Sequence, residues 1–187
     1  MINLPSGYRE VRKVDLMRNR KEAVLVNLLA LVITVLMSAL GFVLCPPFTE
    51  MQIGIHTFVS LIAISAGIVL YMILHELIHG VFMKNFSGLK PRYGFTGLYA
   101  YAGSDALFTR RQYLIIAFAP VVILGIIIAV LNVAFYETAF WELYIIQTVN
   151  LSGGAGDFYV GFVIARSGND VLVRDTGTDM AFYSIKR

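Results

Sequence analysis

Four apolar stretches, at about 23–44, 55–83, 112–135 and 143–165, decide what this chain of 187 residues can fold into. A membrane-spanning helix needs roughly 20 mostly apolar residues, and each stretch approaches or exceeds that length. Hydrophobic residues make up 58% of the chain and charged ones only 14%, which removes an ordinary soluble domain from consideration. The expectation is an all-α integral membrane protein with four transmembrane helices, forming one membrane-embedded domain over residues 1–187. About 22 polar, charge-rich residues precede the first apolar run, without the short apolar core and small-residue cleavage site of a signal peptide. The first span is therefore expected to stay as an anchor.

Charge distribution sets the expected topology. Of the 15 basic residues, six lie within residues 1–22, five within 84–111 and four after the last span. The two remaining connections, "CPPFTEMQIG" and "YETAFWE", hold none and carry Glu50, Glu137 and Glu142. The positive-inside rule places both termini and the central connection in the cytoplasm, giving a multi-pass protein of the plasma membrane. The basic clusters read as a solvated face beside anionic membrane lipid. No aromatic residues interleave them as nucleic-acid binding would favour, so no nucleic-acid partner is expected. Oligomeric state is left open. The single cysteine, Cys45, can form no internal disulfide and offers no cysteine-based zinc cage.

The segments between the spans are read more coarsely. "CPP" stops the first helix because consecutive prolines remove donors. Residues 1–22 read as a polar lead with at most a turn of interfacial helix. In "KPRYGFTGLYAYAGSD", a continuous extended strand would put Tyr93, Phe95, Tyr99 and Tyr101 on one face and Thr96, Ala100 and Ala102 on the other. That pattern predicts a short re-entrant or interfacial β-hairpin over 93–103, with an aromatic belt at the headgroups as the alternative. Pro120 in the third span predicts a kink. Residues 168–187 predict a small cytoplasmic C-terminal β-hairpin turning at "DTGTD".

Chemistry concentrates in "VLYMILHELIHGVFM", residues 69–83. His75 and His79 are four apart, so on a helix both imidazoles project from one face and can grip one ion. Glu76 sits beside the first. In a zinc hydrolase of this motif the adjacent glutamate is no ligand; it takes a proton from the attacking water and returns it to the leaving group. Each charged group at mid-bilayer costs about 2.5–3.5 kcal/mol, so three titratable groups within five residues point to function. The bland alternative is a pair of neutral histidines satisfied by backbone carbonyls, with Glu76 reaching toward water.

Zinc hydrolases commonly use three protein ligands, so one more is needed. His56 lies 19 residues before His75 on the same span, roughly 28 Å away at 1.5 Å per residue. Asp157, in "NLSGGAGD", is the only acidic residue well inside the other spans. His75 precedes Lys84 by nine residues and Asp157 precedes Arg166 by nine, which places both about 14 Å inward from the cytoplasmic side. On a helix Asn150, Gly153, Gly154 and Asp157 share a face, and the glycines let the fourth span approach the second closely. Asn150 can hydrogen-bond a ligand, a substrate backbone or exposed carbonyls. The alternative is a small-residue packing seam with one aspartate paired to His79.

"HELIH" in one span and "NLSGGAGD" in a later one resemble the intramembrane metalloproteases of the site-2 protease type. With "RRQY" opening the third span, a following proline and the tail "VRDTGTDMAFY", the ensemble is most similar to a small bacterial family described as "putative zincin peptidase". The resemblance covers most of the chain. It implies one zinc ion held by His75, His79 and Asp157, Glu76 as general base, and Asn150 near substrate. It also implies that the hairpin carrying Tyr99 and Tyr101 pairs with an unwound transmembrane or membrane-associated protein substrate as an added strand. Site-2 proteases carry a proline where Gly153 and Gly154 stand here, and a glycine where Phe158 follows the aspartate. The expected function is a zinc-dependent intramembrane endopeptidase opening toward the cytoplasm. Its rivals are a non-catalytic metal sensor and an inactive scaffold for transmembrane partners.

Overall fold

The computed structural model describes residues 4–44, 55–97 and 99–185. The elements run β1 (Tyr8–Val14), α1 (Arg20–Leu44), α2 (Ile55–Ser87), β2 (Arg92–Phe95), β3 (Ala100–Gly103), β4 (Phe108–Thr109), α3 (Arg110–Ala134), α4 (Tyr136–Gly153), α5 (Ala155–Ala165), β5 (Leu172–Asp175) and β6 (Met180–Ile185). Cys45, the two prolines after it and Glu50 lie outside the described residues, as does the side chain of His56.

Among the described residues, three helices are long and apolar enough to cross a membrane: Arg20–Val43, Thr57–Ser87 and Arg110–Ala134. Their outward faces are apolar and open, with Leu28, Val35, Phe58, Leu61, Ile126 and Val130 all exposed. That is the inverse of a soluble domain and suits hydrocarbon as solvent. Four spans were expected. The fourth stretch is instead divided, with α4 ending at Gly153 and α5 beginning at Ala155. Gly154 lies between them, where the lack of a side chain lets the backbone turn against α3. α4 also carries Glu137, Glu142, Gln147 and Asn150, which keep it more polar than the three long helices.

α3 starts where its sequence says it should. Thr109 caps the helix, its Oγ1 accepting from the Gln112 N–H while Gln112 Oε1 accepts from the Thr109 N–H, a reciprocal box written in "TRRQ".

The expected C-terminal hairpin is present as β5 and β6, but it is no isolated tail. It forms the middle of a four-stranded sheet in the order β1-β6-β5-β4. The N-terminal lead, expected to be polar coil or a turn of helix, is therefore corrected to a strand, β1, antiparallel to β6. A bulge between Glu10 and Arg12 explains why the pattern hid it. Val11 and Val14 are three apart, which breaks the two-residue alternation of a regular strand. Arg12 then bonds Glu22 of α1 at 3.3 Å and the Tyr159 hydroxyl of α5 at 3.0 Å, which ties the sheet to the helices, while Lys13 pairs with Asp179 of the β5–β6 turn.

The main core lies where sheet meets helices: Val14, Met83, Phe108, Tyr113, Ile116, Val160, Ile164, Val173 and Phe182 are all buried there. A second, smaller cluster of Tyr71, Leu124 and Ile128 joins α2 to α3.

The hairpin between α2 and α3 is β2 with β3, in the register Arg92↔Gly103, Tyr93↔Ala102, Gly94↔Tyr101 and Phe95↔Ala100. Residues directly opposite share a face, so Tyr93 and Phe95 lie with Ala100 and Ala102, and Tyr101 lies on the other side with Gly94. The expected single aromatic face is thereby corrected. The turn closed by Thr96 N–H to the Tyr99 carbonyl, 3.0 Å, reverses the chain and changes which residues share a side.

Candidate metal centre

α2 is apolar around nearly its whole circumference, so His75 and His79 are held by their neighbours rather than by solvent. They are 7% and 9% exposed, and one turn of helix puts their rings edge to face, 4.8 Å between centroids. Each ring is oriented from behind. His79 Nδ1 lies 2.9 Å from the Ile116 carbonyl of α3, and His75 Nδ1 lies 3.1 Å from the Tyr71 hydroxyl. Tyr71 donates its own proton to the Asn150 carbonyl at 3.4 Å, which leaves its oxygen to accept from His75 Nδ1–H. Both Nδ1 atoms are thus occupied and both Nε2 lone pairs are free.

The two Nε2 atoms stand 3.1 Å apart. Asp157, in the first turn of α5, reaches both, with Oδ2 3.2 Å from His75 Nε2 and Oδ1 3.4 Å from His79 Nε2. Among the described residues, His75, His79 and Asp157 form a group that could hold a metal ion. Two unprotonated ring nitrogens so close would repel unless a cation or proton sat between them. Zinc–nitrogen bonds of 2.0–2.1 Å at tetrahedral angles separate ligand atoms by about 3.3 Å, close to the three distances seen. The donor set of two imidazoles and one carboxylate is a zinc set.

The glycines before Asp157 give α4 and α5 their closeness. A methyl at Gly154 would meet Val121 Cγ2 of α3 at 2.6 Å, and one at Gly153 would lie 3.2 Å from Tyr71 Oη of α2. Asn150 is fully buried, and its Nδ2 donates to the Val121 carbonyl at 3.1 Å. The structure thus places Asn150 in the packing of α4 on α3, with its backbone carbonyl behind His75.

Glu76, the residue after His75 on α2, lines a groove of about 310 Å³ with Ile73, Leu77, Tyr93, Gly94, Ala100 and Tyr101. Its carboxylate accepts from the backbone N–H of Ala102. Because Gly94 and Tyr101 exchange the ladder bonds, Ala100 and Ala102 direct their backbone groups away from β2, so β3 presents a strand edge toward Glu76. Tyr101 lines this groove, its ring covering Gly94 on one side and Gly177 of the β5–β6 turn on the other. Tyr99 is absent from the lining and closes the hairpin turn through Thr96.

Sequence reasoning missed two positions behind the histidines, Tyr71 and Ile116. Tyr71 had a signal, lying four residues before His75 on the same helix face. Ile116 had none, because it acts through its backbone carbonyl.

A family model described as "putative zincin peptidase" matches residues 68–172. No curated protein and no solved structure matches the chain.

Proposed function

Since the chain belongs to the "putative zincin peptidase" family through residues 68–172, making it a zinc metallopeptidase, we propose that it acts as a multi-pass intramembrane endopeptidase, cutting peptide bonds in or near membrane segments. Its cofactor is zinc, and His75, His79 and Asp157 are the residues to hold it. The observation that carries the reading is that Glu76 leaves the same helix as the two histidines and faces a groove walled by a strand edge.

When bound, zinc supplies Lewis-acid polarisation of water and of a peptide carbonyl. The chain's own residues do the rest. The Glu76 carboxylate takes a proton from the attacking water and passes it to the leaving amine. β3 holds the substrate backbone by adding it as a strand at Ala100, beside the Ala102 N–H that holds Glu76, with Tyr101 flooring the groove. Tyr71 and the Ile116 carbonyl hold the histidine rings still. A substrate that pairs as a strand must first be unwound, which suits a transmembrane or membrane-associated protein whose helix is broken near the cut.

The basic residues favour cytoplasmic termini in the plasma membrane, with α4 and α5 together completing a fourth, broken crossing. Non-helical backbone at membrane depth is tolerated where protein buries it, as α3 helps bury Gly154.

The test is Glu76→Gln in purified protein, with zinc content and cleavage of single-span membrane peptides in proteoliposomes measured side by side. We expect native zinc stoichiometry and hydrolysis reduced by roughly 10²–10⁴-fold, the usual range for a lost general base. Undiminished cleavage would remove Glu76 from the mechanism. Absence of cleavage in the native chain, with zinc bound, would favour the sensor or scaffold reading.

A further inference from the structure

Pro120 sits inside α3 without ending it; the helix continues from Arg110 to Ala134. Proline has no N–H, so the carbonyl four residues earlier, that of Ile116, is denied its helical partner. Ile116 is fully buried, and an unpaired carbonyl in the interior of a membrane protein is costly. The carbonyl is not left unpaired. His79 Nδ1 lies 2.9 Å from it, reaching across from α2. Had residue 120 carried an N–H, that donor would compete for the same oxygen at the geometry every helix favours.

We propose that Pro120 is a positioning residue of the metal centre: by withholding an N–H it reserves the Ile116 carbonyl for His79 Nδ1–H, and so presents the His79 Nε2 lone pair toward His75 and Asp157. The inference rests on the reading of these three residues as zinc ligands. The two costs cancel each other. His79 brings a buried donor that needs an acceptor, and Pro120 creates a buried acceptor that needs a donor. The bond also selects the tautomer, because an imidazole that donates from Nδ1 keeps Nε2 unprotonated. An acceptor behind a ligating histidine is the kind of partner whose loss typically weakens metal binding 10–100-fold.

The test compares three forms of the full-length protein in detergent: native, Pro120→Ala, and Pro120→lactic acid, in which an ester oxygen replaces the N–H without a proline ring. Zinc affinity is read by competition with a chromophoric chelator, and the His79 tautomer by ¹⁵N chemical shifts of the zinc-free protein. We expect Pro120→Ala, which restores the donor and repairs the helix, to bind zinc 10–100-fold more weakly. Pro120→lactic acid should stay within about threefold of native on the same reasoning, because it too leaves Ile116 free. The native protein should show His79 protonated at Nδ1. Native affinity in Pro120→Ala would overturn the proposal. So would equal weakening in both variants, which would assign the role to the proline ring, and so would a His79 with no proton on Nδ1, a result that needs no variant to fold. A native chain that binds no zinc would overturn the ligand reading itself and this proposal with it.

Discussion

Asp175 is buried at the end of β5, where the Tyr113 hydroxyl and the Gly177 N–H both donate to its carboxyl group. Burial pushes that carboxyl up to about 6, against the pull of those two hydrogen bonds. The native state therefore holds the proton more tightly than the unfolded chain, whose carboxyl titrates near 3.8. The resulting stability is fully present below about pH 4 and is lost as pH rises through 6, amounting to about 3 kcal/mol at 1.36 kcal/mol per unit. We expect the apparent thermal midpoint to fall between pH 4 and pH 7 in the native protein and to change less in Asp175→Asn. Circular dichroism melts of both across that range check this. Equal pH dependence in the two would place the titration elsewhere.

Each element does more than its own sequence suggests. The β5–β6 turn lies against the β2–β3 hairpin: Ser104 N–H donates to the Asp175 carbonyl at 2.7 Å, and Gly103 touches the Thr176 carbonyl with no room for a side chain. Thr176 offers backbone there, which cannot swing aside. Gly103→Ala must therefore push the hairpin off the turn, at the typical overpacking cost of 1–3 kcal/mol. β3 would then shift against Glu76, while the ligands on α2 and α5 would stay in place. We expect peptide cleavage to fall at least tenfold, the equivalent of 1.4 kcal/mol in a barrier, with zinc content unchanged. Loss of zinc in Gly103→Ala would show that the hairpin supports the metal centre rather than the substrate.

At the scale of the molecule, the metal centre is a joint. α5 packs on α3 and α1, α2 packs on α3 and α4, and Asp157 meets His75 and His79 where α5 faces α2, above the core that Met83 of α2 shares with Val160 and Ile164 of α5. An ion held at that junction stabilises the whole fold by mass action, by about 4 kcal/mol when free zinc is a thousandfold above its dissociation constant. Stripping zinc by dialysis against a chelator should lower the thermal midpoint by several degrees at that magnitude. Asp157→Ala should melt at the lower temperature with or without zinc. A midpoint indifferent to the chelator in the native protein would separate metal binding from the packing of α5.

The apolar stretches, the His-Glu-His cluster, the depth of Asp157 and the turn of the C-terminal hairpin were all legible in the chain, because each rests on a local pattern or on the cost of a charge in hydrocarbon. Helices α1 to α3 follow from that logic. The rest depended on contacts between residues far apart in the chain. Tyr71 and Ile116 gain their place behind the histidines only when α2, α3 and α4 pack, and β1 becomes a strand only because β6 offers it an edge. A bulge hid that strand, a turn reversed the faces expected of the aromatic hairpin, and Gly154 divided the fourth apolar stretch. Period and composition report what one segment buries. Which carbonyl is left free, and which side chain arrives to meet it, is decided by packing alone.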